Sequence, residues 1–134
     1  MESFSVFGEP VEVVVSSEAT GGVSSAITQT SPPGGGPPLH SHQHEEETFY
    51  VVRGEYEFIL NGERRQLTAG EGIFAPRGSV HTFKNVGATE GKLLVVTVPG
   101  GFENYLRAIS PLSIPQDMQQ ILQISEQYGV AFVS

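Results

Sequence analysis

The chain has no cysteine among its 134 residues, and only 7 lysines and arginines against 15 aspartates and glutamates. Each shortage removes a class of function. Without cysteine there is no disulfide scaffold, thiolate zinc site, iron–sulfur cluster or cysteine nucleophile. A formal net charge of −8 leaves no basic face to neutralise phosphates, so nucleic acid is not an expected partner. No apolar run approaches the roughly 18 residues of a membrane span, and no membrane partner is expected. The opening MESFSVFGEP has no basic stretch followed by an apolar one, so no secretory signal is visible and the expected location is cytoplasmic. The length suits one folding unit with a core of its own.

Glycine and proline, by contrast, are plentiful, at 16 and 9 residues, and they are spread along the chain. That distribution fits many short strands joined by turns. Residues 11–15 and 23–30 are rich in β-branched side chains and read as strands. The block PPGGGPP at 32–38 reads as a tight loop at a barrel rim. Residues 47–60, ETFYVVRGEYEFIL, look like a hairpin broken at Gly54, with Phe49 and Val51 on one face and Tyr56, Phe58 and Leu60 pointing inward. Asn61-Gly62 signals a two-residue hairpin turn. Strands are expected near 63–68, 72–75 and 80–85, and KLLVVTV at 92–98 reads as a strand buried on both faces.

The pattern changes after Pro99. Phe102, Tyr105, Leu106 and Ile109 recur at helical spacing, and so do Met118, Ile121, Leu122 and Ser125 within 115–128. A β domain over 1–99 is therefore expected, followed by a helical extension over 100–134 that packs on it.

The stretch HSHQHEEET carries the chemistry. On a strand, His40 and His42 present both imidazoles on one face, about 7 Å apart along the chain. Imidazole is the commonest protein ligand for transition metals. A carboxylate follows a few residues on, and His81 waits between a turn signal and a short strand. Histidine-rich stretches beside acids are often solvated loops, and His44 and Glu45 fit that description.

The spacing around these residues is specific. Gly34, His40, His42, Glu47 and Gly54 are separated by five, one, four and six residues. Gly70, Pro76, Gly78, His81 and Asn85 are separated by five, one, two and three. These two patterns resemble the two sequence motifs of the cupin superfamily, with all ten fixed positions matched. At roughly 5% usage per residue type, chance would match ten positions at one placement about once in 10^13. The resemblance extends over about 10–99 and implies a small antiparallel jelly-roll β-barrel, here with two short C-terminal helices.

The resemblance also implies a metal site made of His40, His42, Glu47 and His81, with Glu46 as a competitor for the carboxylate role. Glu47 is preferred because it keeps the spacing to Gly54 and falls in phase with Phe49 and Val51. Three imidazoles and one carboxylate suit one divalent transition metal ion: iron, nickel, manganese, cobalt, copper or zinc. They leave open positions for water, oxygen or substrate. Gly54, Gly70 and Gly78 are expected at turns with positive φ, and Asn85 is expected to hold a loop through backbone hydrogen bonds. Phe49, Tyr56, Phe58 and Phe83 are expected in the core or as substrate-pocket wall.

Cupins include dioxygenases, isomerases, decarboxylases, epimerases, storage proteins and regulatory modules, so the fold does not choose an activity. ETFYVVRGEYEF with the downstream VPGGFENYLRAI looks most like the single-domain quercetin dioxygenase-like group. That implies oxygen-dependent cleavage of a small aromatic, enolised substrate such as a flavonol. Glu47 is the implied catalytic base, and the helix bearing Phe102 and Tyr105 is either a lid or a packing element. The alternatives are a non-oxidative lyase, isomerase or cyclase at the same metal, and a small-molecule binder without turnover. A homodimer is expected because a small jelly roll leaves sheet edges to cover, and residues 11–15 are the candidate pairing strand.

Overall fold

The computed structural model describes residues 1–133. Eleven strands and two helices follow in chain order. They begin with β1 (Ser3–Val6), β2 (Glu9–Val15), β3 (Ser25–Ser31), β4 (His40–His42), β5 (Glu46–Arg53) and β6 (Glu55–Leu60). Next come β7 (Glu63–Thr68), β8 (Gly72–Ala75), β9 (Val80–Asn85) and β10 (Gly91–Val98). Helices α1 (Phe102–Ile109) and α2 (Met118–Gln127) lead to β11 (Val130–Phe132).

The strands form two antiparallel sheets of a jelly roll. One has the order β1-β2-β3-β10-β5-β8, the other β11-β4-β9-β6-β7. Strand alternation sends one side of each sheet inward. Val11, Val13, Ile27, Phe49, Val51, Leu93 and Val95 of the first sheet are buried, as are Tyr56, Phe58 and Phe83 of the second. These side chains form one continuous core, which α1 extends with Tyr105, Leu106 and Ile109.

Several local expectations change. Residues 47–60 are not a hairpin: β5 pairs with β10 and β8, whereas β6 pairs with β9 and β7. Gly54 is where the chain crosses between sheets. Its φ is 98°, and a Cβ there would lie 2.9 Å from the Gly91 Cα, so a side chain fits neither the conformation nor the space. Period-two patterning is the same for a hairpin and for two strands that part company, so the alternation alone did not separate them. The Asn61-Gly62 turn joins β6 to β7 with both residues at positive φ, as a tight hairpin requires.

Strand 92–98 is buried on its inward side only; residues on the other side are half-buried or exposed. β3 begins at Ser25 rather than at residue 23. Only part of 11–15 is a free edge, because β1, which was not anticipated, pairs with β2 up to Glu12 and Glu2 accepts from the Val13 amide; Val14 and Val15 lie beyond it and are exposed. Helix α2 is shorter than expected, and Leu122 is 46% exposed while Ile121 and Ser125 are buried. The C-terminal segment also contains an unanticipated strand, β11, which returns to the barrel beside β4. Asn85 is buried and holds the surrounding chain as expected. Its Nδ2 donates to the Ser31 and Thr89 carbonyls, and its Oδ1 accepts from the Gly87 amide.

Candidate metal centre

The two sheets meet at a polar cluster inside the barrel. His40 and His42 project inward from β4, and His81 stands opposite His40 on the neighbouring β9. Glu47 reaches in from β5 of the other sheet, where it lies between Thr97 and Ala75. Each of these four residues offers one ligand atom, and the four atoms lie within 4.8 Å of one another. All four side chains are buried, between 1% and 8% exposed. Glu46 lies one residue out of phase with Glu47 and is not among the clustered donors.

The hydrogen bonds fix the ring orientations. His40 Nδ1 lies 2.8 Å from the Pro38 carbonyl, His42 Nδ1 lies 2.7 Å from Glu45 Oε1, and His81 Nδ1 lies 3.2 Å from the Ser79 carbonyl. Each partner is an acceptor, so in the neutral ring each Nδ1 is assigned the proton and each Nε2 faces inward with its lone pair. His42 Nε2 is buried and makes no hydrogen bond, although Glu47 Oε1 is 3.0 Å away. Two lone-pair atoms at that distance repel unless a cation shares the space. His81 Nε2 faces the same oxygen at 2.9 Å. The donor set therefore fits a divalent metal ion, held by three imidazoles and a carboxylate. The outward-facing Nδ1 partners fix the tautomer of each ligand.

The electrostatics follow from crowding. Burial, reinforced by the neighbouring His42 and His81, lowers the His40 pKa to about 4. Burial also works against a charged His42, but Glu47 and Glu45 outweigh it and its pKa lies above the ordinary value. For Glu47, burial favours the neutral acid, yet His42, His81 and His40 prevail and hold its pKa below the usual carboxylate range.

Glu45 is a correction to the sequence reading. It was expected to face water, but its side chain is only 11% exposed and it orients His42. Its position three residues after His42 was the available signal. His44, expected to face water, is exposed.

A cavity of about 460 Å³ opens beside the cluster, and His40 and His42 form part of its wall. Glu47 and His81 do not line it. Much of the wall is apolar: Phe102, Tyr105, Leu106 and Ile109 from α1, with Val130 and Phe132 from β11. The Phe102 ring meets the His42 ring edge-on at 4.9 Å. Tyr105 is anchored through a 2.7 Å hydrogen bond to Ser125 of α2. Phe49, Tyr56, Phe58 and Phe83, expected as core or pocket wall, instead pack on one another within the core and do not line this cavity. Phe49 comes nearest to the cluster, with its ring 5.8 Å from that of His81.

Residues 27–97 match the Cupin domain family, and the chain belongs to it. Among characterised relatives, it is 28% identical over 97 residues to the quercetin 2,3-dioxygenase of Bacillus subtilis, covering 72% of this chain and 28% of that protein. It is 36% identical over 67 residues to the oxalate-binding protein of Thermotoga maritima, covering 50% of this chain and 55% of that one. The chain thus spans less than two thirds of either relative. A predicted oxalate decarboxylase from Thermotoga maritima superposes with a TM-score of 0.64 at 31% identity, over 73% of this chain and 90% of that one. KdgF from Halomonas sp. gives a TM-score of 0.70 at 21% identity, over 78% of this chain and 91% of the other, and that likeness concerns the fold.

Proposed function

We propose that this cupin is a metal-dependent dioxygenase acting on a small aromatic, enolic substrate such as a flavonol. The observation that carries it is that two of the four clustered donors, His40 and His42, form part of the wall of a largely apolar cavity of about 460 Å³. That volume falls in the range of sites for drug-sized organic ligands and far exceeds the needs of a two-carbon diacid. The similarity to quercetin 2,3-dioxygenase supports the same reading.

A bound divalent ion would supply Lewis acidity and open coordination positions. The chain supplies the rest. Glu47 is the one carboxylate in the cluster and its neighbours hold it ionised; it lies behind the cavity wall, so its proposed role is to accept the acidic proton of a substrate oxygen that enters the cluster past His40 and His42. Phe102, Leu106 and Phe132 present apolar surface beside the histidines. Dioxygen is the proposed co-substrate.

A flavonol panel assayed with metal-loaded protein, with and without oxygen, tests this reading. Oxygen uptake matched to substrate loss supports it. Equal turnover without oxygen replaces it with a lyase, isomerase or cyclase. Tight binding with no turnover under any metal replaces it with a binding module. No helix is long and apolar enough to cross a membrane; a cytoplasmic location remains part of the proposal. So does a homodimer, with β1 rather than 11–15 as the pairing edge. A monomer by size exclusion at high concentration removes it.

A further inference from the structure

The cavity has a second polar feature that the metal cluster does not use. Glu9 of β2 and Gln29 of β3 line the same cavity as His40 and His42, but they belong to the opposite sheet. Their direction follows from strand phase. Glu9 alternates with Val11 and Val13, and Gln29 with Ile27 and Ser31, all of which are buried inward residues. An apolar residue would fill either position at lower cost, because a carboxylate facing a barrel interior loses hydration.

The two side chains are joined. Gln29 Nε2 donates to Glu9 Oε1 at 3.4 Å. Burial pushes the Glu9 pKa up, partly offset by Gln29, the Ser31 hydroxyl and the Gly36 backbone amide. The amide nitrogen of Gln29 is turned toward Glu9, which leaves the Gln29 Oε1 and the remaining lone pairs of the Glu9 carboxyl as acceptors for a ligand. Both are acceptors. A second anionic group would be repelled here, whereas a neutral hydroxyl would be received.

We propose that Glu9 and Gln29 form a second anchor in the metal cavity, which binds the hydroxyl-bearing end of an organic substrate whose acidic oxygen faces His40 and His42. This rests on the reading of the cavity as the site of a flavonol-like substrate, and it adds the substrate's orientation and substitution. The preferred ligand is a hydroxylated aromatic rather than a bare one or a diacid.

The test is an anaerobic binding titration of metal-loaded protein with two probes: quercetin, which carries further ring hydroxyls, and the unsubstituted flavonol. Wild type is compared with Glu9→Leu and Gln29→Leu, each checked for metal content and melting temperature. The expected result is a loss of quercetin affinity of about 10- to 100-fold in Glu9→Leu, with a smaller loss in Gln29→Leu. Flavonol affinity and metal content stay unchanged, and Glu9→Gln restores part of the quercetin affinity. If both probes bind the wild type and lose affinity equally, or neither loses any, the anchor is overturned while the substrate class stands. If neither probe binds the wild type, the substrate class fails and the anchor falls with it.

Discussion

The cavity has two unlike sides. On the histidine side four donor atoms converge, and each clustered imidazole is turned by an acceptor behind it. On the helical side, α1 and β11 offer phenyl, phenol and aliphatic surface with few hydrogen bonds. The difference separates two tasks. Converging lone pairs can hold an ion but do not select an organic molecule. Apolar walls and a few polar anchors select the molecule but do nothing to it. A change on one side should therefore alter metal content, and a change on the other should alter ligand preference.

The largest expected effect is on the histidine side. His81→Ala and His42→Ala each remove a ligand and should lower metal affinity by more than about 100-fold, read by elemental analysis after dialysis. A variant that keeps full occupancy would break the assignment. Glu45→Ala, which leaves every ligand in place, should cost about 10- to 100-fold in affinity because His42 loses its orienting partner. Occupancy at wild-type level across a metal titration would show that this contact is incidental.

Phe102→Ala tests the other side. It should weaken binding of an aromatic ligand by about 10-fold or more through lost apolar contact, while metal content stays at the wild-type value. Metal loss in this variant would erase the division of labour. The smallest effect belongs to the support of α1. Glu103 is buried and accepts hydrogen bonds from the Ser17 and Gly101 amides at 2.7 and 3.2 Å. Glu103→Gln should lower stability by about 1–3 kcal/mol in urea unfolding, with the metal retained. An unchanged midpoint would mean that α1 is held by its apolar face alone.

Protons and metal compete at one atom, and this gives opposite pH slopes. In metal-free protein, the raised His42 pKa contributes stability that is full below the ordinary 6.5 and is lost as pH rises through its folded value. The lowered Glu47 pKa contributes stability present above 4.5 and lost as pH falls through its folded value. The pair therefore stabilises metal-free protein most between about pH 4.5 and 6.5. Metal binding needs the same His42 nitrogen unprotonated, so apparent metal affinity weakens progressively as pH falls below the raised His42 value. His40, with a pKa of about 4, stays mostly neutral in that window. Melting curves with and without chelator should thus diverge as pH rises from 5 to 8. Parallel curves would contradict the competition.

The histidine side was legible in the sequence, and the cavity wall was not. His40, His42, Glu47 and His81 sit at spacings that a metal imposes, so the same pattern betrays them wherever it occurs. Phe49, Tyr56, Phe58 and Phe83 carry the same inward phase as a pocket wall would, and phase does not distinguish core from cavity. That distinction depends on which segment closes the barrel end. Here α1 does so together with β11, a three-residue strand too short to announce itself. Phe102 and Tyr105 were visible as a helical stripe, but Phe132, which lines the same cavity, was not. The separation of β5 from β6 was hidden for a related reason, since alternation records facing and not pairing.

The central claim is that the three imidazoles and Glu47 hold one ion together. X-ray absorption spectroscopy on metal-loaded protein tests it most directly. The predicted result is one ion per chain, with three imidazole nitrogens and carboxylate oxygen in the coordination shell, and one imidazole fewer in His81→Ala. A shell with fewer than three imidazoles in the wild type, or one unchanged by the substitution, would contradict it.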